Sequence, residues 1–155
     1  MNTVTRDFTV AVFVHWNNKL LLHRHPKIDM WLPCGGHIEA NELPDEAAVR
    51  EVLEESGVLV QLVGEGGLDF EAEPGTTETK QLVMPLAIQL EHISEGHEHI
   101  DFVYLAAPLE PYDGNIRSDE PTMAWYTEAE LAELPLTREI RAWVARLFAL
   151  LQQES

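Results

Sequence analysis

The sequence predicts an α+β protein, an α/β/α sandwich in which a mixed β-sheet is flanked by helices. Three observations carry this. Strand-like apolar runs occur near both ends of the chain. One long helical pattern interrupts them at mid-chain, and two more helical segments close the C-terminal region. At 155 residues, the chain is expected to form one domain over residues 1–155, large enough to bury roughly 70% of its unfolded surface.

Phe8 to Trp16 (FTVAVFVHW) is a continuous apolar run and predicts a buried strand. Asn17-Asn18-Lys19 turns into a second strand, Leu20 to Arg24. Pro33-Cys34-Gly35-Gly36 is a turn whose glycines allow close backbone approach or positive φ. A helix follows from Pro44, whose fixed φ suits a first turn, with Asp45 and Glu46 at the positive end of the dipole. Leu43 caps poorly, so Asn41 is expected to do the capping. Gly57 marks the C-terminus. Further strands are expected at Val58 to Val63, Gln81 to Leu90, Ile100 to Leu105 and Met123 to Tyr126, with a turn at Glu73-Pro74-Gly75. Helices are expected at Glu128 to Leu134 and Arg138 to Gln152. In the last of these, Ile140, Trp143, Val144 and Leu147 form a core-facing stripe. No repeat, linker or low-complexity segment divides the chain.

Function is concentrated between Gly36 and Val58. At about 100° per residue, Glu51, Glu54 and Glu55 share one side of the helix, leaving Val49, Val52 and Leu53 to face a core. Three like charges so placed weaken a helix unless a cation answers them. Hard oxygen ligands suit Mg²⁺, with Mn²⁺ as a substitute. Arg50 can pair with Glu54 four residues on.

Gly36, Glu42, Arg50, Glu51, Val52, Glu54, Glu55, Gly57 and Val58 fill every fixed position of G-x5-E-x7-R-E-U-x-E-E-x-G-U, where U is a bulky aliphatic. This segment resembles the Nudix box, and it covers 23 of the 155 residues. The resemblance implies the Nudix fold and hydrolysis of a nucleoside diphosphate linked to another group. Glu51, Glu54 and Glu55 then correspond to the metal-binding glutamates, and the Gly35 carbonyl to a further ligand in some members. The first glutamate is the base in some members, while others take it from a loop outside the box. Glu120, in the acidic turn before Trp125, is the loop carboxylate the resemblance singles out as base or ligand. Glu42 and Arg50 are expected to stabilise the loop–helix junction. Gly36 and His37 are positioned for phosphate contact.

His97, His99 and Asp101 fall on one face of a strand, and so do His23 and His25. A His-x-His-x-Asp strand could hold zinc, but two spaced histidines lack a third and fourth partner. The expectation is that His97, His99 and Asp101 line the substrate side of a cleft. Trp31 and Trp125 are expected to pack, and Cys34 to be a small core residue rather than a nucleophile.

Ten Lys and Arg against 27 Asp and Glu give a formal net charge of −17. This argues against affinity for nucleic-acid polymers or anionic membranes, yet permits a small phosphorylated nucleotide beside a divalent cation. The lone cysteine cannot form an internal disulfide. No signal-like or membrane-spanning run is evident, making the cytoplasm the default location; a homodimer is left open. Pro74, sixteen residues beyond Val58, resembles a proline associated with ADP-ribose hydrolases. Features associated with dinucleoside polyphosphate, NADH and coenzyme A hydrolases are absent. A nucleoside triphosphate, oxidised forms included, is the substrate expected by elimination. The alternatives are ADP-ribose, a nucleotide sugar, or a non-catalytic nucleotide-sensing module, though all box glutamates are present.

Overall fold

The structure, a computed structural model, describes residues 3–154. Its centre is a parallel pair of long strands, β1 (Thr5–Trp16) and β7 (His97–Pro108), in register from Thr5 opposite His97 to Val14 opposite Ala106. Each takes two antiparallel partners in tandem on its outer side. β1 pairs with β4 (Cys34–His37) and then with β2 (Lys19–His25), which carries β3 (Met30–Leu32) and β8 (Ala124–Tyr126). β7 pairs with β6 (Ala87–Ser94) and with β5 (Val60–Val63). Helix α1 (Pro44–Ser56) covers one face, and α2 (Glu128–Ala132) and α3 (Arg138–Gln153) belong to the other.

Burial along β1 follows from this layering. Val10, Val12 and Val14 pack with Ala47, Ala48 and Val52 of α1. Phe13 points the other way, against Val144, Leu147 and Phe148 of α3. Both faces are covered, so apolar residues run consecutively rather than alternating. The buried strand does not begin at Phe8, which is 54% exposed. Within α1, Leu53 also departs from expectation: it is 45% exposed, and Ala47, Ala48 and Val52 carry the packing face. The stripe of α3 buries Ile140, Val144 and Leu147. Cys34 is fully buried in the α1-side core, where burial pushes its thiol well above the ordinary range.

Other boundaries differ for local reasons. The strand expected at Gln81 to Leu90 forms instead at Ala87–Ser94, after Pro85, which cannot donate to a ladder. Glu95-Gly96, with Gly96 at φ 78°, makes a tight hairpin directly into β7. At the start of α1, Leu43 does occupy the N-cap. The Glu46 carboxylate accepts from the Leu43 N–H at 3.0 Å, and Asn41 takes left-handed backbone at φ 67° instead of capping. Thr127 and Thr137 cap α2 and α3 through their hydroxyls. No helix among the described residues is long and apolar enough to cross a membrane.

The glycine turn is a strand. Cys34 to His37 pair with Val12 to Thr9, and the need for glycine is close approach, not positive φ. A Cβ on Gly35 would lie 2.2 Å from the Val10 carbonyl oxygen. Gly35→Ala should therefore separate β1 from β4 and destabilise the protein by at least about 2 kcal/mol. Urea denaturation tests this, and a wild-type midpoint would disprove the packing constraint.

Candidate active site

Three segments converge at β4. The first is the loop ahead of α1, fastened by one guanidinium. Arg50 donates to both Glu42 oxygens, at 2.7 and 2.9 Å, and to the His37 carbonyl at 3.0 Å. It also reaches Glu51 at 3.0 Å and Glu54 at 3.1 Å. Glu42 accepts the Glu39 N–H as well, at 3.0 Å. The pairing with Arg50 holds the Glu42 carboxyl below its ordinary range.

The second segment is α1, which delivers two carboxylates to the glycine strand. Glu55 accepts the Gly35 N–H at 2.9 Å. Glu51 lies where a Gly36 side chain would be, since a Cβ there would come within 2.5 Å of its Oε1. Burial pushes Glu55 up to about 8; the Gly35 N–H opposes this, and the neighbouring Glu51 and Glu120 carboxylates add to it. Glu54 is placed differently: its side chain is 57% exposed and rests on Arg50.

The third segment, the loop before β8, runs past the C-terminal end of α1. Gly57 takes left-handed backbone at φ 73°, and a Cβ there would press within 2.9 Å of Arg117. The Arg117 N–H donates to the Ser56 carbonyl at 2.8 Å, and Trp125 packs between Trp16 and Tyr112. This routing brings Glu120 close enough for its charge to act on Glu55 and on His23. His23 is buried, with Nε2 3.7 Å from Glu55 Oε2. Burial holds its imidazole below the ordinary value, against the pull of Glu120.

These groups open onto a cleft of about 1020 Å³. Gly35, Gly36, Glu51 and Glu55 form one wall; His99, Asp101 and Glu91 form the opposite one, over an apolar floor that includes Phe13 and Trp143. His37 is at the rim, 62% exposed, and bonds Asp7 at 3.0 Å. Asp101 is buried and accepts from Thr9 Oγ1 at 2.8 Å and Gln89 Nε2 at 3.3 Å. His97 is not among the cleft residues; it lies beyond the rim, beside Thr5 and Asp7. Burial lowers His99, and crowding by His37 and His97 lowers it further.

A family model of the NUDIX domain matches residues 5–147 of this chain. The chain belongs to the Nudix family. A crystal structure of a NUDIX-family hydrolase from Clostridium perfringens superposes with a TM-score of 0.76 at 31% identity, covering 96% of this chain and 99% of that one. The probable DHNTP pyrophosphohydrolase of Lactococcus lactis is 29% identical over 129 residues, 83% of this chain and 61% of that protein. The m7GpppN-mRNA hydrolase NUDT17 of Xenopus laevis is 43% identical over 63 residues, 37% of this chain and 21% of that protein. The chain thus spans less than two thirds of either curated relative.

Several residues of this Nudix cleft escape a reading of the sequence. Glu91 and Gln89 lie on β6, Glu91 just past the strand end expected at Leu90; their alternation with Ile88 and Leu90 is the signal that finds them. Trp143 packs on the core as its place in the α3 stripe predicts, its ring centroid 6.0 Å from that of Phe13, and it also lines the cleft floor. Trp31 does pack, edge-on to Tyr126 at 5.4 Å.

Two pH effects follow. Because Glu42 is depressed when folded, its contribution is present above its ordinary value of 4.5 and is lost as pH falls through the folded value. Glu42→Gln should cost about 1 kcal/mol at pH 7, a partly solvated pair being screened, with the gap to wild type closing in acid. Thermal melts from pH 7 to pH 3 read this directly, and a pH-independent gap would argue for lost packing instead. Glu91 behaves oppositely: burial, then repulsion from Asp101, raises it from 4.5 to about 7. The folded state holds the extra proton across that window, so stability falls as pH rises through it. Glu91→Gln should melt higher than wild type above pH 7 and alike near pH 4; the reverse order would refute the burial argument.

Proposed function

We propose that this chain is a Mg²⁺-dependent pyrophosphohydrolase acting on a small nucleotide of the nucleoside-triphosphate class. The observation that carries the reading is the pair Glu51 and Glu55 at the wall of the cleft, where burial and the charges of Glu51 and Glu120 raise the affinity of Glu55 for a proton. Arg50 answers Glu42, Glu51 and Glu54, leaving Glu55 to hold a proton near neutrality. An oxygen-only donor set with one member still protonated fits a hard divalent cation, which would displace that proton. Glu51, Glu55, Glu54 and the Gly35 carbonyl are the groups that would hold it, with Mn²⁺ able to substitute. Bound there, the ion would neutralise phosphate oxygens as charge develops on them.

The chain's own residues supply the rest. Gly36 leaves room for the Glu51 carboxylate to lie against the strand, and His37 offers a ring nitrogen at the rim. Glu120 is tied neither to α1 nor to Arg50, which suits it to take the proton of the attacking water. On the far wall, Asp101, Glu91 and Gln89 can accept from or donate to a base, over the apolar floor at Trp143. The resemblance to a relative named a pyrophosphohydrolase, aligned over 83% of this chain, supports the same reaction class.

Screening phosphate release with Mg²⁺ over nucleoside triphosphates, nucleotide sugars and dinucleotides tests the proposal. Turnover of a triphosphate, abolished by chelation and restored by Mg²⁺ or Mn²⁺, is expected. Binding without turnover across the whole panel would favour a sensing module. Glu55→Gln should lower kcat at least about 10²-fold without lowering thermal stability at pH 7. Glu120→Gln should lower kcat with little change in KM, and unchanged kinetics would return that residue to a turn role. Glu54→Gln should also lower kcat at least about 10²-fold, and a near-wild-type rate would show that its exposed carboxylate takes no part in holding the ion.

A further inference from the structure

A second cluster of ligating groups lies at the rim of the cleft, away from the α1 carboxylates. The parallel register sets Thr5 beside His97 and Asp7 beside His99, and β4 places His37 opposite Thr9. Paired positions share a sheet face, so three strands direct an aspartate and three imidazoles to one patch. His37 Nε2 lies 3.0 Å, and His97 Nε2 3.4 Å, from the same oxygen, Asp7 Oδ2. One ligand atom each from Asp7, His37 and His99 falls within 4.8 Å of the others. The His99 ring stands edge-on to both other rings, with centroids 5.1 Å away in each case.

We propose that Asp7, His37, His97 and His99 form a binding site for one divalent transition-metal ion of the Zn²⁺ class. Four ligands at about 2.0–2.1 Å in a tetrahedron stand roughly 3.3–3.4 Å from one another. Ligand atoms of Asp7, His37 and His99 already lie within 4.8 Å of one another, and His97, 3.4 Å from Asp7 Oδ2, must turn toward the other two rings to complete the set. Its supports are also those of a ligand set. Thr5 Oγ1 lies 2.8 Å from His97 Nδ1, occupying that nitrogen and leaving Nε2 toward Asp7. Glu98, which could compete, is paired with Arg6 at 2.9 Å. Asp101 takes no part, because Thr9 and Gln89 hold it.

Chemistry separates this patch from the α1 site. Imidazole nitrogen favours zinc-like ions, whereas an all-carboxylate set favours magnesium. An ion here would join β1, β4 and β7, and through His37 it would fix the residue following Gly36. Hydrogen bonding between Asp7 and two rings is the competing explanation, but it gives the third ring no reason to stand against both. The inference does not depend on the proposed hydrolysis.

The test uses the full chain carrying Glu51→Gln and Glu55→Gln, which removes the rival donors. Titration with Zn²⁺ by calorimetry, and elemental analysis after gel filtration, should give about one ion per chain. Adding His99→Ala or Asp7→Asn should weaken binding at least about 10²-fold, and Thr5→Ala about 10-fold, with far-UV circular dichroism confirming the fold. If a histidine variant fails to fold, Co²⁺ added to the otherwise unaltered double variant decides. Intense four-coordinate absorption bands support the site; only weak six-coordinate bands overturn it. Zinc that disappears with the two glutamates and ignores the histidine substitutions would overturn it too, as would protein that retains none. The Mg²⁺-dependent screen is untouched by either result.

Discussion

Arg50 is the constraint on which the site depends. A single planar cation reaches the loop through Glu42, the glycine strand through the His37 carbonyl, and its own helix through Glu51 and Glu54. In a chain of net charge −17, that geometry decides which carboxylates are satisfied. Lysine could supply the charge but not the fork, because its ammonium cannot present parallel donors to one carboxylate while reaching a carbonyl. The helix, loop and strand are therefore held in mutual position by hydrogen bonds that leave Glu55 and Glu120 without a strong cationic partner. Order and electrostatic deficit have the same origin.

Where α1 and the opposite sheet face meet, backbone does what side chains usually do. Gly35 and Gly36 thin the sheet at β4, so carboxylates from a helix on one layer reach a cleft whose far wall belongs to the other. That wall is polar where β1, β6 and β7 supply Thr9, Glu91 and Asp101, and apolar where α3 closes the floor. A ligand lying across it would meet charge at one end and aromatic surface at the other.

How much of this was legible in the sequence varied with the range of the forces involved. Motif spacing on α1 placed Glu51, Glu55, Arg50 and Gly57 correctly relative to one another, because a helix converts separation directly into direction. The long strands were visible as apolar runs for a similar reason. Pairings between distant segments were not visible. His97 and His99 were grouped with Asp101 by their alternation, whereas the fold offers them Asp7 and His37 from two other strands. Glu91 escaped because it lies past the expected strand end at Leu90, and Gln89 because only its pairing opposite Asp101 on β7 shows what it faces. Leu53 shows the limit within a helix: a periodic pattern names a face, but only the neighbouring layer decides how wide it is.

The central strand pair carries a consequence for how the molecule comes into being. Every partner pair between β1 and β7 joins residues 92 positions apart, as the Thr9–Asp101 hydrogen bond does. Closing a segment of that length costs about 4 kcal/mol of chain entropy before any contact compensates it. The box helix and the early hairpin can form while the chain is still short, but the opposite cleft wall cannot exist until β7 has left the ribosome. Until then the apolar centre of β1 has no lasting cover on that side, and a nascent chain paused in the long segment before β6 would expose it.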